Sequence, residues 1–114
     1  MAFETSEDAA SLDHRTLHIA TLMGDLVGAA KEMVDDLPKW ELVDTQEEPE
    51  RVVLVCSRNG GLLAGTARIT ITLEAPEGVP ATRLHVRSET NGALLARDKA
   101  NVAEFVKPFN RRVC

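Results

Sequence analysis

Arg68, Arg83, His85 and Arg87 are the side chains whose types and spacing point most directly to chemistry. Between residues 65 and 88, Ala67, Ile69, Ile71 and Leu73 alternate with Thr66, Arg68, Thr70, Thr72 and Glu74, while Leu84 and Val86 alternate with Arg83, His85 and Arg87. Successive strand residues point to opposite sides of a sheet. Two such strands side by side therefore present one aliphatic face and one that gathers guanidinium groups and an imidazole, in a chain of net charge −5. Guanidinium forks suit carboxylates and phosphates. Pairing the strands symmetrically about the loop at 75–80 sets Ile71 opposite Leu84 and Ile69 opposite Val86. The same register sets Thr72 by Arg83, Thr70 by His85 and Arg68 by Arg87. Like charges directly opposite destabilise a strand pair. A compensating negative group is expected: Glu74 or Glu89 from the sheet, a carboxylate of a second subunit, or a bound anion.

Other groupings are weaker. His14 and His18 are four apart, a spacing that puts two imidazoles on one side of a helix for metal binding, with Asp13 as the nearby third ligand. A strand at 16–20 would instead turn His18 to the side of Thr16 and Ala20, so two surface histidines and no metal are expected. Gly60-Gly61-Leu62-Leu63-Ala64-Gly65-Thr66 has the glycines of a phosphate loop, but lacks its lysine and is followed by a strand where a helix is needed. These glycines read as hairpin punctuation. Ser57 and Ser88 fall on strands without the glycines of a nucleophile elbow, and Cys56 alternates with core-facing residues, where a thiol is inert. Glu47, Glu48 and Glu50 surround Pro49 and read as a solvated turn. The chain is read as non-catalytic, with no cofactor.

The elements that must position the arginine face follow from periodicity. Ile19, Leu22, Met23, Leu26, Ala30, Met33, Val34 and Leu37 recur at three- and four-residue steps, which predicts a helix over 22–37 that Pro38 ends. The stretch 16–20 alternates as an edge strand and also extends the helical stripe; strand followed by helix is the favoured reading. Trp40, Leu42 and Val43 predict a short strand, residues 51–56 a central strand, and Asn59-Gly60-Gly61 a tight hairpin. After a turn at Asn91-Gly92 comes a closing helix capped by Asp98, with Val102, Phe105, Val106 and Phe109 on one stripe and Pro108 kinking or ending it. Strands linked by short hairpins between two helices predict an α+β fold of two layers, a single antiparallel sheet of four to five strands with two helices on one face.

With 114 residues there is room for one core. Residues 1–12 carry Glu4, Glu7 and Asp8 and read as a flexible acidic tail; 13–114 read as the single domain. The acidic balance excludes a general nucleic-acid binder, and no apolar run approaches the roughly 20 residues that span a membrane, so neither partner is expected. A buried Cys56 and a terminal Cys114 fit a reducing cytoplasm.

The order strand, helix, hairpin strands, closing helix is similar to small START/Bet v1-like helix-grip proteins and equally to half of the TATA-binding protein fold. Arg87, Ser88, Thr90, Gly92, Asp98 and Asn101 also resemble a bacterial family of unknown function. That family ends its last strand in Arg-Ser-x-Ser-Arg-x-Gly, followed by Asp and Asn before the closing helix. The resemblance implies a fold and brings no activity. Two functions are then open: a binding or interaction module that self-associates through its sheet face, or a helix-grip carrier of a small anionic or amphiphilic ligand. Phe3, Trp40, Phe105 and Phe109 are few for a cavity gripping a large apolar ligand, which favours the first.

Overall fold

The computed structural model describes residues 2–76 and 81–113. Cys114 and the part of the 75–80 loop at 77–80 lie outside the described residues. In chain order the elements are β1 (Ala2–Glu4), a 3-10 turn (Leu12–His14), β2 (Leu17–Ile19), α1 (Met23–Asp36), β3 (Trp40–Glu48), β4 (Arg51–Asn59), α2 (Gly61–Ala64), β5 (Thr66–Glu74), β6 (Thr82–Thr90) and α3 (Asp98–Val113). The strands form one antiparallel sheet in the order β1-β6-β5-β4-β3, with β2 pairing β6 beside β1. The class is α+β, and the sheet is larger than expected: six strands and three helices among the described residues.

Strand parity holds throughout the centre of the sheet. Ala67, Ile69, Ile71, Leu73, Leu84 and Val86 are each 2% exposed or less. They share one core with Leu26, Ala30, Met33 and Val34 of α1 and with Val102, Phe105, Val106 and Phe109 of α3. The alternating residues face the other side of the sheet, which neither α1 nor α3 covers among the described residues.

The extra strands come from the edges. Within the segment expected as an acidic tail, residues 2–4 form a strand: Phe3 pairs with Ser88 and Glu4 with Arg87, and the chain loops out over 5–16 before β2 rejoins β6 at Leu84. Thr5 bridges the break. Its N–H donates to the Val86 carbonyl at 2.9 Å and its hydroxyl accepts from the Val86 N–H at 3.1 Å, so β6 keeps its backbone partners where the edge strand is interrupted. At the opposite edge β3 runs nine residues, because β4 offers a pairing partner as far as Arg51, and the expected turn narrows to Pro49 and Glu50. A bulge between Leu42 and Asp44 leaves Val43 outside the register.

Three local expectations change. The β4–β5 connection is a one-turn helix, α2, closed by Gly65 at φ 74°, and not a tight hairpin. Pro108 lies inside α3, which continues to Val113. Burial of Phe105 and Val106 before it and Phe109 after it outweighs a lost backbone hydrogen bond. Asp98 opens α3, but its carboxylate accepts hydrogen bonds from β6 hydroxyls.

Ile71 lies at the centre of the inward face with no exposed surface. Ile71→Ala should lower unfolding stability by about 2–4 kcal/mol, through lost transfer energy and the cavity left behind. Urea denaturation followed by far-ultraviolet circular dichroism measures this; a loss within error of zero would place Ile71 outside the core.

Candidate functional site

The arginine face exists, in a register two residues away from the symmetric one. Arg68 stands opposite Glu89, Thr70 opposite Arg87, Thr72 opposite His85 and Glu74 opposite Arg83. A shift of two preserves parity, so the aliphatic pattern alone cannot choose between the registers. Cross-strand charge can: the observed pairing replaces arginine opposite arginine by two opposite-charge pairs. The expected repulsion is therefore relieved within the sheet. Arg83 meets Glu74 at 3.1 Å, and Arg87 meets Glu89 at 2.9 Å and Glu4 at 3.7 Å. His85 lies 3.9 Å from Glu4, and its Nδ1 is 2.8 Å from the Thr5 hydroxyl.

Arg68 differs from the other three. It is flanked in register by Ser57 on β4 and Glu89 on β6, and Glu89 is engaged by Arg87. The Arg68 side chain is exposed and has no hydrogen bond or ion pair among the described residues. It borders a hollow of about 560 Å³ on the open face, whose lining includes Val43, Asp44, Val55, Ser57 and Glu89. The bulge in β3 shapes this hollow by bringing Val43 and Asp44 to the side of Val55. The site thus joins one free guanidinium to an apolar wall and a rim of carboxylates and hydroxyls.

Two polar clusters lie under the helices. Ser88 and Thr90 both donate to Asp98 Oδ1 at 2.7 Å, and the Asn101 amide donates to the Ser88 hydroxyl at 3.2 Å; all four residues are buried. The Asp98 Oδ2 atom is buried without a hydrogen-bond partner among the described residues. Ser88, Thr90, Asp98 and Asn101, set apart in the sequence by a resemblance, thus converge on one network that joins the start of α3 to the end of β6. The second cluster was not anticipated. Arg58, inward-facing at the end of β4, donates to both carboxylate oxygens of Glu104 at 2.7 and 3.2 Å, and the Trp40 indole donates to the same carboxylate. Parity held the signal, since Arg58 continues the inward series Val52, Leu54, Cys56, and a buried arginine needs a carboxylate.

The remaining candidates separate. His14, in the 3-10 turn, has its Nε2 3.2 Å from the Lys99 carbonyl and packs edge-on to Phe3, whereas His18, on β2, pairs with Glu7 at 2.7 Å. They do not form a ligand pair. Burial pushes the Cys56 thiol up to about 12, so it carries no thiolate at neutral pH. Ser57 faces the hollow.

Comparison with protein-family models, with curated proteins and with solved structures finds no match to this chain. Its functional reading rests on its own geometry.

Burial raises the pKa of Glu104, but hydrogen bonds from Arg58 and Trp40, with the charges of Arg58 and Arg97, outweigh it and hold the carboxyl below its ordinary 4.5. A lowered carboxyl pKa adds stability that is fully present above the ordinary value and is lost as pH falls through the lowered one. Glu104→Gln should therefore melt below the parent at neutral pH, and the gap should narrow as pH drops below 4.5. Thermal denaturation of both proteins across that range measures it; a gap that stays constant with pH would mean that the Glu104 charge adds no stability.

Proposed function

We propose that this chain is a binding module, not a catalyst, whose working surface is the open face of its sheet, and that the hollow at Arg68 takes a small amphiphilic ligand through its acidic group. The observation that carries this reading is the free Arg68 guanidinium beside Val43 and Val55 in a hollow of about 560 Å³, within the usual range of small-molecule sites. Arg83, His85 and Arg87 take a supporting part: their internal pairs engage the carboxylates of Glu74, Glu4 and Glu89 and leave Arg68 without an ion pair among the described residues. A ligand carboxylate or phosphate would complete the pattern of alternating charge, with its apolar portion along the two valines.

Two observations favour binding over chemistry. The Ser88 and Thr90 hydroxyls are buried and donate to Asp98, and the Cys56 thiol is buried and protonated, so these groups offer no activated nucleophile. The helix-grip alternative, a ligand between sheet and closing helix, meets an occupied core. Phe105 stacks on Trp40 and on Phe109, with ring centroids 6.0 and 5.1 Å apart. The convergence of Ser88, Thr90, Asp98 and Asn101 serves to fix the closing helix on the sheet.

Native mass spectrometry of protein recovered gently from cells tests the proposal. The parent should retain an anionic small molecule, and Arg68→Gln should lose most of it while keeping the parent's melting temperature, because Arg68 is exposed and unpaired. Retention unchanged in Arg68→Gln would remove the hollow from consideration. A parent recovered as an empty dimer would favour self-association through the sheet face.

A further inference from the structure

Among the described residues the sheet ends in two edges of different kinds. One is made of β1 and β2, three residues each, with the chain looping out between them. The other is β3, nine residues that pair with β4 alone. Only Trp40 and Thr45 of β3 are withdrawn from solvent, and its other residues are exposed. An edge strand offers a row of unpaired N–H and C=O groups to any strand that can lie beside it. The bulge between Leu42 and Asp44 interrupts this row, so its regular part is Asp44–Glu48. There the Thr45 N–H donates to the Asp44 carboxylate at 2.9 Å. Alternation in an antiparallel ladder puts the Glu47 N–H on the same outer side.

Charge indicates the occupant. Residues 31–51 hold eight carboxylates against Lys31, Lys39 and Arg51, and so account for the whole net charge of −5. β3 itself carries Glu41, Asp44, Glu47 and Glu48 and no cation. Internal pairing neutralises only part of this. Lys31 reaches Glu47 at 3.7 Å, and Arg112 engages Glu32 and Asp36. Asp35, Glu41, Asp44 and Glu48 have no ion pair among the described residues. The cations of the segment left over are Lys39, ahead of the strand, and Arg51, opposite Glu48. Beside the edge lies a hollow of about 480 Å³, where Val34, Trp40 and Leu42 meet Lys31, Glu32, Asp35 and Glu41. With Lys31 turned to Glu47 and Glu32 held by Arg112, Asp35 and Glu41 are its unpaired charges. Apolar wall and carboxylate together suit the aliphatic stem and charged head of a lysine or arginine. A second copy fits poorly, because antiparallel pairing of two β3 strands sets the acidic row against itself.

We propose that β3 is a docking edge for an extended, lysine- or arginine-rich segment of a partner protein, which adds to the sheet as a further strand alongside Asp44–Glu48. Its backbone takes up the outer N–H groups of Thr45 and Glu47, and its cations meet Asp44, Glu48 and, at the neighbouring hollow, Asp35 and Glu41. Strand addition supplies affinity through the main chain and specificity through alternate side chains. The proposal does not use the Arg68 guanidinium, so Arg68→Gln should dock the segment as the parent does.

Fluorescence anisotropy of the full chain with a labelled peptide alternating lysine and valine tests it. The parent should bind saturably and release as salt rises, whereas the peptide with glutamate in place of lysine should not bind. N-methylation of alternate peptide amides, on the edge that would face β3, should weaken binding about tenfold through lost backbone hydrogen bonds. Glu41→Gln with Glu48→Gln should weaken it about fivefold at low salt, with an unchanged circular dichroism spectrum because both side chains are exposed. Hydrogen exchange gives a second readout, in which the Thr45 and Glu47 amides gain protection on binding. The proposal is overturned by a parent that ignores the lysine peptide, by a glutamate or N-methylated peptide that binds equally well, or by glutamine variants that bind as the parent does. It is equally overturned by Thr45 and Glu47 amides that exchange unchanged in the complex, or by a parent dimer paired through β3, which would make a second copy the occupant.

Discussion

One-sided burial governs this molecule. A sheet whose two long helices lie on one face places its apolar core on that side, and α1 and α3 supply the cover. α3 is the more constrained of the two because it is tied at two points. Asp98 at its start accepts from Ser88 and Thr90, and Glu104 further along accepts from Arg58 and Trp40. Buried polar groups left unpaired are costly, so these contacts specify where the helix sits as well as holding it there. With the helix fixed, Phe105 and Phe109 occupy the space between the layers.

The uncovered face inherits the consequences. Its residues must be polar enough for water, and charges placed opposite one another must match. The pairing of Glu74 with Arg83 and of Arg68 with Glu89 satisfies the second condition. The competition of Arg87 for Glu89 then leaves Arg68 free, at the point where the β3 bulge deepens the surface. The proposed binding site is what an almost complete charge balance leaves over.

Much of the fold was legible because periodicity is local. Ala67, Ile69, Ile71 and Leu73 declare their face through parity alone, and Leu26, Ala30, Met33 and Val34 mark the buried stripe of α1. Quantities that depend on distant partners were not legible. The β5–β6 register could be shifted by two without moving any aliphatic residue to the wrong side, so only cross-strand charge, with Arg83 opposite Glu74 and Arg68 opposite Glu89, decides it. Residues 2–4 look like solvated chain until β6 is present to pair with them. Arg58 takes an inward position by parity, but its partner Glu104 lies on another element and cannot be read from the local pattern. The arginine face was visible in the sequence, but which arginine lacked a partner was not, because that depends on the register.

The central claim is that ligands meet the open face at Arg68 and not the space beneath α3. Two-dimensional nuclear magnetic resonance of the labelled protein, titrated with a medium-chain fatty acid as the probe, tests it most directly. The account predicts backbone shifts that saturate and gather at Val43, Ser57, Arg68 and Glu89, with Phe105 and Phe109 unmoved. Shifts centred on Trp40, Phe105 and Phe109, or no saturable shift at all, would contradict it.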